Sequence, residues 1–241
     1  MPALSLATTR LLTSGHNIPI LGFGVAYGFG KSEDPAELTK PCVLEAFKVG
    51  YSVLAAVDAS LKATKFDYLD LYLIHSPPSG TSRRIEAWRA LVDAKKQGKI
   101  RSIGVSNYNV KHIEEIKKAG YELPSINQVE LHPFCQQSPI VEYCHANNIV
   151  VEAYCPILRG KMDDPIIVDI AQKLNKEPAQ VLLRWSLQRG FVPLVRSSNP
   201  TRIKSNAAVF DFELDEDDVN RLNGLDQDAE GAISWNPVDV E

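Results

Sequence analysis

The densest apolar run of the chain extends from Asp67 to Ile74 and stops at His75, which Ser76 and two prolines follow. A short apolar run of this density is typical of a parallel strand that is covered on both faces. In a β/α architecture, reacting groups lie at the carboxyl ends of such strands. The pattern therefore places His75 where a catalytic side chain would be displayed, although a lone histidine at a strand end is more often a packing residue.

Strand spacing and helix spacing alternate regularly from this strand to residue 207. Further strands are predicted at residues 100–106, 125–130, 149–154 and 191–195. Helices are predicted at residues 82–97, 110–119, 139–147, 165–174, 178–188 and 200–207. Because these units lack a glycine-rich dinucleotide turn, they favour a parallel (β/α) barrel over a doubly wound sheet.

The N-terminal third of the chain departs from this alternation. Residues 17–24 predict a hairpin arm that leads into a first barrel strand. Residues 35–62 then keep helical spacing almost throughout, interrupted by Pro41 and by Gly50. One helix thus follows another where a barrel requires a strand, so we expect part of the barrel to be absent.

Composition limits the classes of partner and the compartment. The net charge of −4 over 241 residues gives no broad basic field, which argues against nucleic acid and anionic membranes as partners. No apolar run approaches the roughly 20 residues that span a bilayer, and the N-terminus lacks secretory features. The four cysteines show no metal-ligand spacing, so we expect no metal site and reduced thiols in a cytoplasmic protein.

Several motifs occur in an order that is similar to one known family. The matching segments are residues 15–24, 67–77, 104–107, 127–133, 152–156, 196–206 and 209–214. Together they resemble the aldo-keto reductase family, in particular its small fungal and bacterial members, and cover nearly the whole chain. The resemblance implies one domain over residues 1–241, derived from a TIM (β/α)8 barrel. It also implies NADPH as cofactor, a small-molecule aldehyde or ketone as substrate, and a monomer.

The chain departs from the family directly after Tyr51. Family members continue there with a strand ending in Asp, a loop carrying Tyr, a helix, and a strand ending in Lys. Here Ser52 instead opens a segment that resembles the following helix, so a strand, a helix and a strand are missing, on the order of 40 residues. We therefore expect about six barrel strands and incomplete closure. Of the family's catalytic Asp, Tyr, Lys and His, only the histidine remains, at His75.

The resemblance assigns cofactor-binding roles to eight residues. Ser106, Asn107 and Gln128 would hydrogen-bond the nicotinamide carboxamide, and Tyr154 would stack on the nicotinamide ring. Arg196, Ser197 and Arg202 would bind the adenosine 2′-phosphate, and Asn206 would face the adenine. Guanidinium forks beside a helix start at Pro200 suit a phosphate in any protein. The family usually has Lys at the position of Arg196. Without the resemblance, a packing tyrosine and a solvated basic patch remain open alternatives.

These observations are compatible with three hypotheses. The chain is an NADP-dependent oxidoreductase with impaired hydride transfer, or a catalytically inactive splice-type or misjoined product that retains at most partial NADPH binding, or a scaffold. Tyr27 could serve as a substitute acid, but no lysine is placed to lower its pKa. Since six strands cannot occupy the outline of eight, we also expect exposed strand edges, an interior open to water and low stability.

Overall fold

The computed structural model describes residues 4–23 and 53–241. The Tyr51–Ser52 junction, Tyr27 and all of the predicted helix before Gly50 lie outside these two ranges.

Six parallel strands form one curled sheet in the order β3-β8-β7-β6-β5-β4. Within the described residues, β3 and β4 are its two outer strands and do not pair with each other. The sheet is a partial TIM barrel, so the predicted fold class with about six barrel strands is confirmed. The strands are β3 (Gly22–Phe23), β4 (Leu69–Ile74), β5 (Ile100–Ser106), β6 (Ile126–Glu130), β7 (Val150–Tyr154) and β8 (Val192–Val195).

Helices pack on the outer face of this sheet. They are α1 (Val53–Thr64), α2 (Thr81–Lys96), α3 (Val110–Lys118), α4 (Ser138–Ala146), α5 (Pro165–Leu174), α6 (Pro178–Gln188), α7 (Pro200–Ala207) and α8 (Glu216–Asn223). The helices predicted between residues 82 and 207 agree with α2 to α7 within one residue at each end. The apolar spacing of the sequence does not predict helix α8. No helix in the described ranges combines the length and apolar character needed to cross a membrane.

Residues alternate along each strand between the helices and the inner face of the sheet. On β4, Tyr72 and Ile74 pack into the core beneath the helices, together with the fully buried Trp88 of α2. Leu71 and Leu73 belong instead to a separate inner cluster. This alternation decides which side chains line the concave face.

A short hairpin covers the amino-terminal end of the inner face. Its strands β1 (Thr9–Leu11) and β2 (Asn17–Pro19) are antiparallel. Its Leu12 is buried in the inner cluster with Ile126, Val150 and Val192. The expectation of an apolar interior open to water is therefore wrong at this end, because the hairpin shields it.

Side-chain hydrogen bonds fasten the hairpin to several strands. Ser14 and Ser102 are joined through their hydroxyl oxygens at 2.7 Å, and Thr13 donates to the Ser125 hydroxyl at 3.1 Å. Arg10 donates to the carbonyl oxygen of Gly190, just before β8. The hairpin is thus attached at β5, before β6 and before β8.

Candidate functional site

The strand alternation carries the predicted site residues to one place. Because Leu71 and Leu73 face inward, His75 continues the same inward series at the carboxyl end of β4. On the neighbouring strands, the register pairs Ser106 with Gln128, and Gln128 with Glu152. The carboxyl end of the sheet therefore collects hydroxyl, amide and imidazole groups above an apolar inner cluster.

Asn107 links four neighbouring strands. Its φ of 62° lies in the left-handed region, which asparagine adopts more readily than most residues. Its side-chain amide donates to the His75 carbonyl oxygen at 3.1 Å, and its Oδ1 accepts from the Tyr154 hydroxyl at 2.9 Å. Its backbone N–H donates to the Gln128 carbonyl oxygen at 2.8 Å. The buried residue Asn107 thus joins the carboxyl ends of β4, β5 and β7 and contacts β6.

Tyr154 is half-buried at the end of β7, with its hydroxyl donated to Asn107. Burial raises the pKa of this hydroxyl to about 12. The group therefore stays protonated at neutral pH and is a weak proton donor to substrate. Its ring, rather than its hydroxyl, is the feature that a ligand could use.

Gln128 is half-buried on β6, and its side-chain amide Nε2 donates to Oε2 of Glu152 at 2.7 Å. The Glu152 side chain lies on β7 and is only 3% exposed. Burial raises the pKa of Glu152, and the hydrogen bond from Gln128 opposes that shift without cancelling it. Sequence reasoning placed residue 152 in a motif but gave this carboxylate no role.

A second buried carboxylate, Glu130, holds the C-terminal segment over the strand ends. It accepts from His132 Nε2 at 3.0 Å, from the Ile233 amide at 2.5 Å and from the Ser234 amide at 3.1 Å, and the Ser234 hydroxyl donates to it as well. Burial alone would raise the pKa of this group, but the donated hydrogen bonds outweigh burial and hold the pKa below its ordinary range.

This anchor brings Trp235 to His75. Their ring centroids are 5.7 Å apart, with planes inclined at 49°. Both side chains are exposed at the carboxyl end of the sheet. Sequence reasoning placed Glu130 in a motif but assigned no role to it, to Ser234 or to Trp235, because these contacts join residues more than a hundred positions apart and follow no local pattern.

The predicted phosphate-binding residues lie on the loop after β8 and on α7. The guanidinium-bearing side chains of Arg196 and Arg202 are exposed, whereas Asn206 is buried. Asn199 caps α7 by accepting from the amides of Thr201 at 2.9 Å and Arg202 at 3.3 Å. The Ser197 hydroxyl accepts from the Asn199 amide at 3.1 Å. The two arginines therefore flank a capped helix start that faces solvent.

A family model, two similar sequences and one solved structure all relate this chain to reductases. A family model described as the aldo/keto reductase family matches residues 50–227. An aldo-keto reductase of Mycobacterium sp. (strain MCS) is 40% identical over 257 aligned residues, which cover 90% of each chain. Glyoxal reductase of Bacillus subtilis (strain 168) is 45% identical over 74% of this chain and 65% of that protein. The crystal structure of a Bombyx mori aldo-keto reductase in complex with NADP has a TM-score of 0.76 and 29% identity, covering 93% of this chain and 94% of its own.

The alignment with the Mycobacterium protein also contains a gap. Its 257 positions include 90% of this 241-residue chain, or about 217 residues, which leaves about 40 positions opposite a gap in this chain. The similar protein thus carries about 40 residues in the aligned range that have no counterpart here.

Proposed function

The chain belongs to the aldo/keto reductase family, and from that membership we propose that it binds NADPH as an NADP-dependent oxidoreductase whose hydride transfer to an aldehyde or ketone is impaired. The observation that carries the proposal is the junction of His75, Asn107 and Tyr154 at the carboxyl ends of adjoining strands. It preserves the side of the site where the nicotinamide would lie.

The residues present fit the chemistry of this cofactor. Amide and hydroxyl groups of Ser106, Asn107 and Gln128 suit a carboxamide, since both partners donate and accept. The Tyr154 ring offers an aromatic face for stacking. The exposed guanidinium groups of Arg196 and Arg202 suit a phosphate. When bound, NADPH would supply the hydride.

Further residues complete the proposed cofactor site. We assign Ser197 to the 2′-phosphate through its hydroxyl and Asn206 to the adenine edge, as the family pattern implies. The buried position of Asn206 supports a precise contact rather than a solvated one. His75 would orient the carbonyl oxygen of a small substrate.

The proposal of impaired turnover concerns the proton that the carbonyl oxygen must receive. His75 can polarise a carbonyl group, but the family's Tyr, Lys and Asp have no match after Tyr51. Tyr154 is a poor substitute acid, because its hydroxyl is donated to Asn107 and its pKa is about 12. Losing a positioned proton donor typically lowers the rate by about 10²–10⁴. The gap of about 40 positions in the alignment supports this proposal.

The alternative is a catalytically inactive splice-type or misjoined product of the same family. It shares the fold and differs in having no turnover. The two are separated by measuring NADPH oxidation with a nitrobenzaldehyde, using B. subtilis glyoxal reductase as the intact control. We expect NADPH binding together with a rate at least roughly a hundredfold below the control. A rate near that of the control would refute impairment, and a complete absence of turnover would favour the inactive product.

We also propose that the chain is a single-domain, cytoplasmic monomer. The cysteines in the described part of the chain, Cys135, Cys144 and Cys155, are free thiols. Burial raises the pKa of Cys135 and of Cys144 to about 12, so both stay protonated and unreactive at neutral pH. Free thiols of this kind support a reducing compartment.

A further inference from the structure

We propose that Glu152 is a positioning residue that fixes which end of the Gln128 amide faces the nicotinamide carboxamide. This inference rests on the proposed NADPH site and assigns a role there to a residue that does not itself touch the cofactor.

The geometry of the pair carries the proposal. Gln128 and Glu152 are register partners on the parallel strands β6 and β7, so their side chains leave the sheet side by side on the same face. The hydrogen bond from Nε2 to Oε2 measures 2.7 Å. An ionised carboxylate accepts hydrogen bonds and donates none. It therefore receives the NH₂ end of the amide and directs Oε1 of Gln128 the other way.

The backbone of Gln128 is fixed as well. Its carbonyl oxygen accepts from the Ser106 hydroxyl at 2.8 Å and from the Asn107 amide at 2.8 Å. With the main chain held and the NH₂ group bonded to Glu152, the remaining freedom of the side chain is small. Within the described residues, the acceptor Oε1 of Gln128 takes part in no side-chain hydrogen bond, and an acceptor suits the NH₂ group of a carboxamide.

Folding stability does not explain why a carboxylate occupies position 152. The next register partner of this residue is Val192 of the apolar inner cluster, and the carboxylate is almost fully buried. In the described part of the chain, its hydrogen bond comes from Gln128. Burying a carboxylate with so little compensation is costly. A role in orienting Gln128 explains why an acceptor stands at this position.

Glu152→Met tests the proposal by removing the acceptor while keeping a side chain of similar size. Binding of NADPH is compared with binding of 2′,5′-ADP, which carries the 2′-phosphate but no nicotinamide. We expect NADPH to bind about fivefold more weakly, the value of one hydrogen bond, and 2′,5′-ADP to bind as before. Arg202→Ala is the matched control, because it should weaken both ligands.

A double variant distinguishes positioning from a structural role. If Glu152 acts through Gln128, Glu152→Met should add no further loss of NADPH affinity in a Gln128→Ala background. Losses that add, or equal losses for NADPH and 2′,5′-ADP, would overturn the inference. A wild-type chain that binds 2′,5′-ADP but not NADPH would instead refute the proposed function, and the inference with it.

Glu152→Gln provides a second measurement that does not depend on the fold of the Met variant. The glutamine has the same shape, but it can donate as well as accept, so the Gln128 amide can adopt both orientations. The probe is the NADP analogue with an acetyl group in place of the carboxamide, which cannot donate to Oε1. We expect the wild type to prefer NADP by roughly fivefold and the variant to lose most of that preference. An unchanged preference in Glu152→Gln would overturn the inference.

Discussion

Two buried carboxyl groups at the carboxyl end of the sheet have pKa values shifted in opposite directions. Glu130 receives hydrogen bonds from His132, Ile233 and Ser234, which outweigh burial and lower its pKa. Glu152 receives one from Gln128, so burial prevails and its pKa rises. Donated hydrogen bonds therefore decide the direction of the pKa shift at Glu130, and burial decides it at Glu152.

The raised pKa of Glu152 predicts how stability varies with pH. A carboxyl group whose pKa is higher in the folded than in the unfolded chain adds stability below its ordinary value of 4.5 and loses that stability as pH rises through the folded value. Glu152→Gln carries no charge at any of these pH values. Its free energy of unfolding, relative to the wild type, should therefore increase as the pH rises above about 4.5 in urea titrations.

Glu142→Gln is the control for this measurement, because Glu142 is exposed on α4. Its pH profile should run parallel to that of the wild type. A Glu152→Gln profile that also runs parallel would show that the folded chain does not shift the Glu152 pKa.

At the scale of elements, the C-terminal segment is held by contacts rather than by regular structure. Beyond Glu130, its anchors include the Gln137 side chain, which donates to Asn236 Oδ1 at 3.0 Å, the Asn109 side chain, which donates to the Val238 carbonyl oxygen at 2.7 Å, and the Gly80 amide, which donates to the Glu241 carbonyl oxygen at 2.9 Å. The segment is therefore fixed at the end of β6 and again near the starts of α2 and α3. Glu130 and Gln137 hold the residues on either side of Trp235, which lies against His75.

Ser234→Ala should loosen the first anchor and leave the others intact. The change removes one hydrogen bond to a charged group, which is worth about 1.5–3 kcal/mol. Exchange of the amide hydrogens of Ile233 and of the substituted residue should then become faster by roughly tenfold or more. Exchange at Val240, which donates to the Pro237 carbonyl oxygen, should stay unchanged.

Ser79→Ala, at an exposed position before α2, is the matched control and should change neither rate. Equal acceleration at both ends of the C-terminal segment would mean that the segment opens as one unit, and that Glu130 is not a separate anchor.

The elements are predictable from sequence where their apolar spacing is regular. The predicted bounds of α5, α6 and α7 agree with the structure to the residue, because proline near each start and a clear periodic face mark these helices. Helix α8 escapes prediction because Val219 and Leu222 are its only apolar residues. The positions of His75, Ser106 and Tyr154 at strand ends, and of Gln128 on β6, are predictable, since strand ends converge in a β/α sheet. The hydrogen bonds of Glu152 and Glu130 are not predictable, because their partners lie on a neighbouring strand or about a hundred positions away in the sequence.

At the scale of the whole molecule, the sheet ends in two outer strands within the described residues. Strand β3 has two residues, with Phe23 55% exposed, and β4 presents six residues from Leu69 to Ile74. Outer strands with unpaired backbone groups are sites where other chains can add. Barrel closure would remove both edges in a family member with eight strands.

This architecture predicts lower stability than that of an intact relative. We expect the monomer to unfold at a lower temperature than B. subtilis glyoxal reductase and to aggregate as concentration rises, because strand edges and half-buried Leu71 and Leu73 are available for association. Differential scanning calorimetry and light scattering over a concentration series would measure both effects. A reversible, cooperative transition of a monomer at the temperature of the relative would contradict this prediction.

The hairpin of β1 and β2 is fastened, in the described part of the chain, away from the outer strands between which we propose that a strand, a helix and a strand are missing. It is bonded to Ser102, Ser125 and Gly190, none of which lies on either outer strand. The end of the fold that it covers is therefore built from residues that remain when an internal strand–helix–strand is lost. A family gene could pass through a shortened form and still encode a chain with a shielded core, so that loss of catalysis need not coincide with loss of folding.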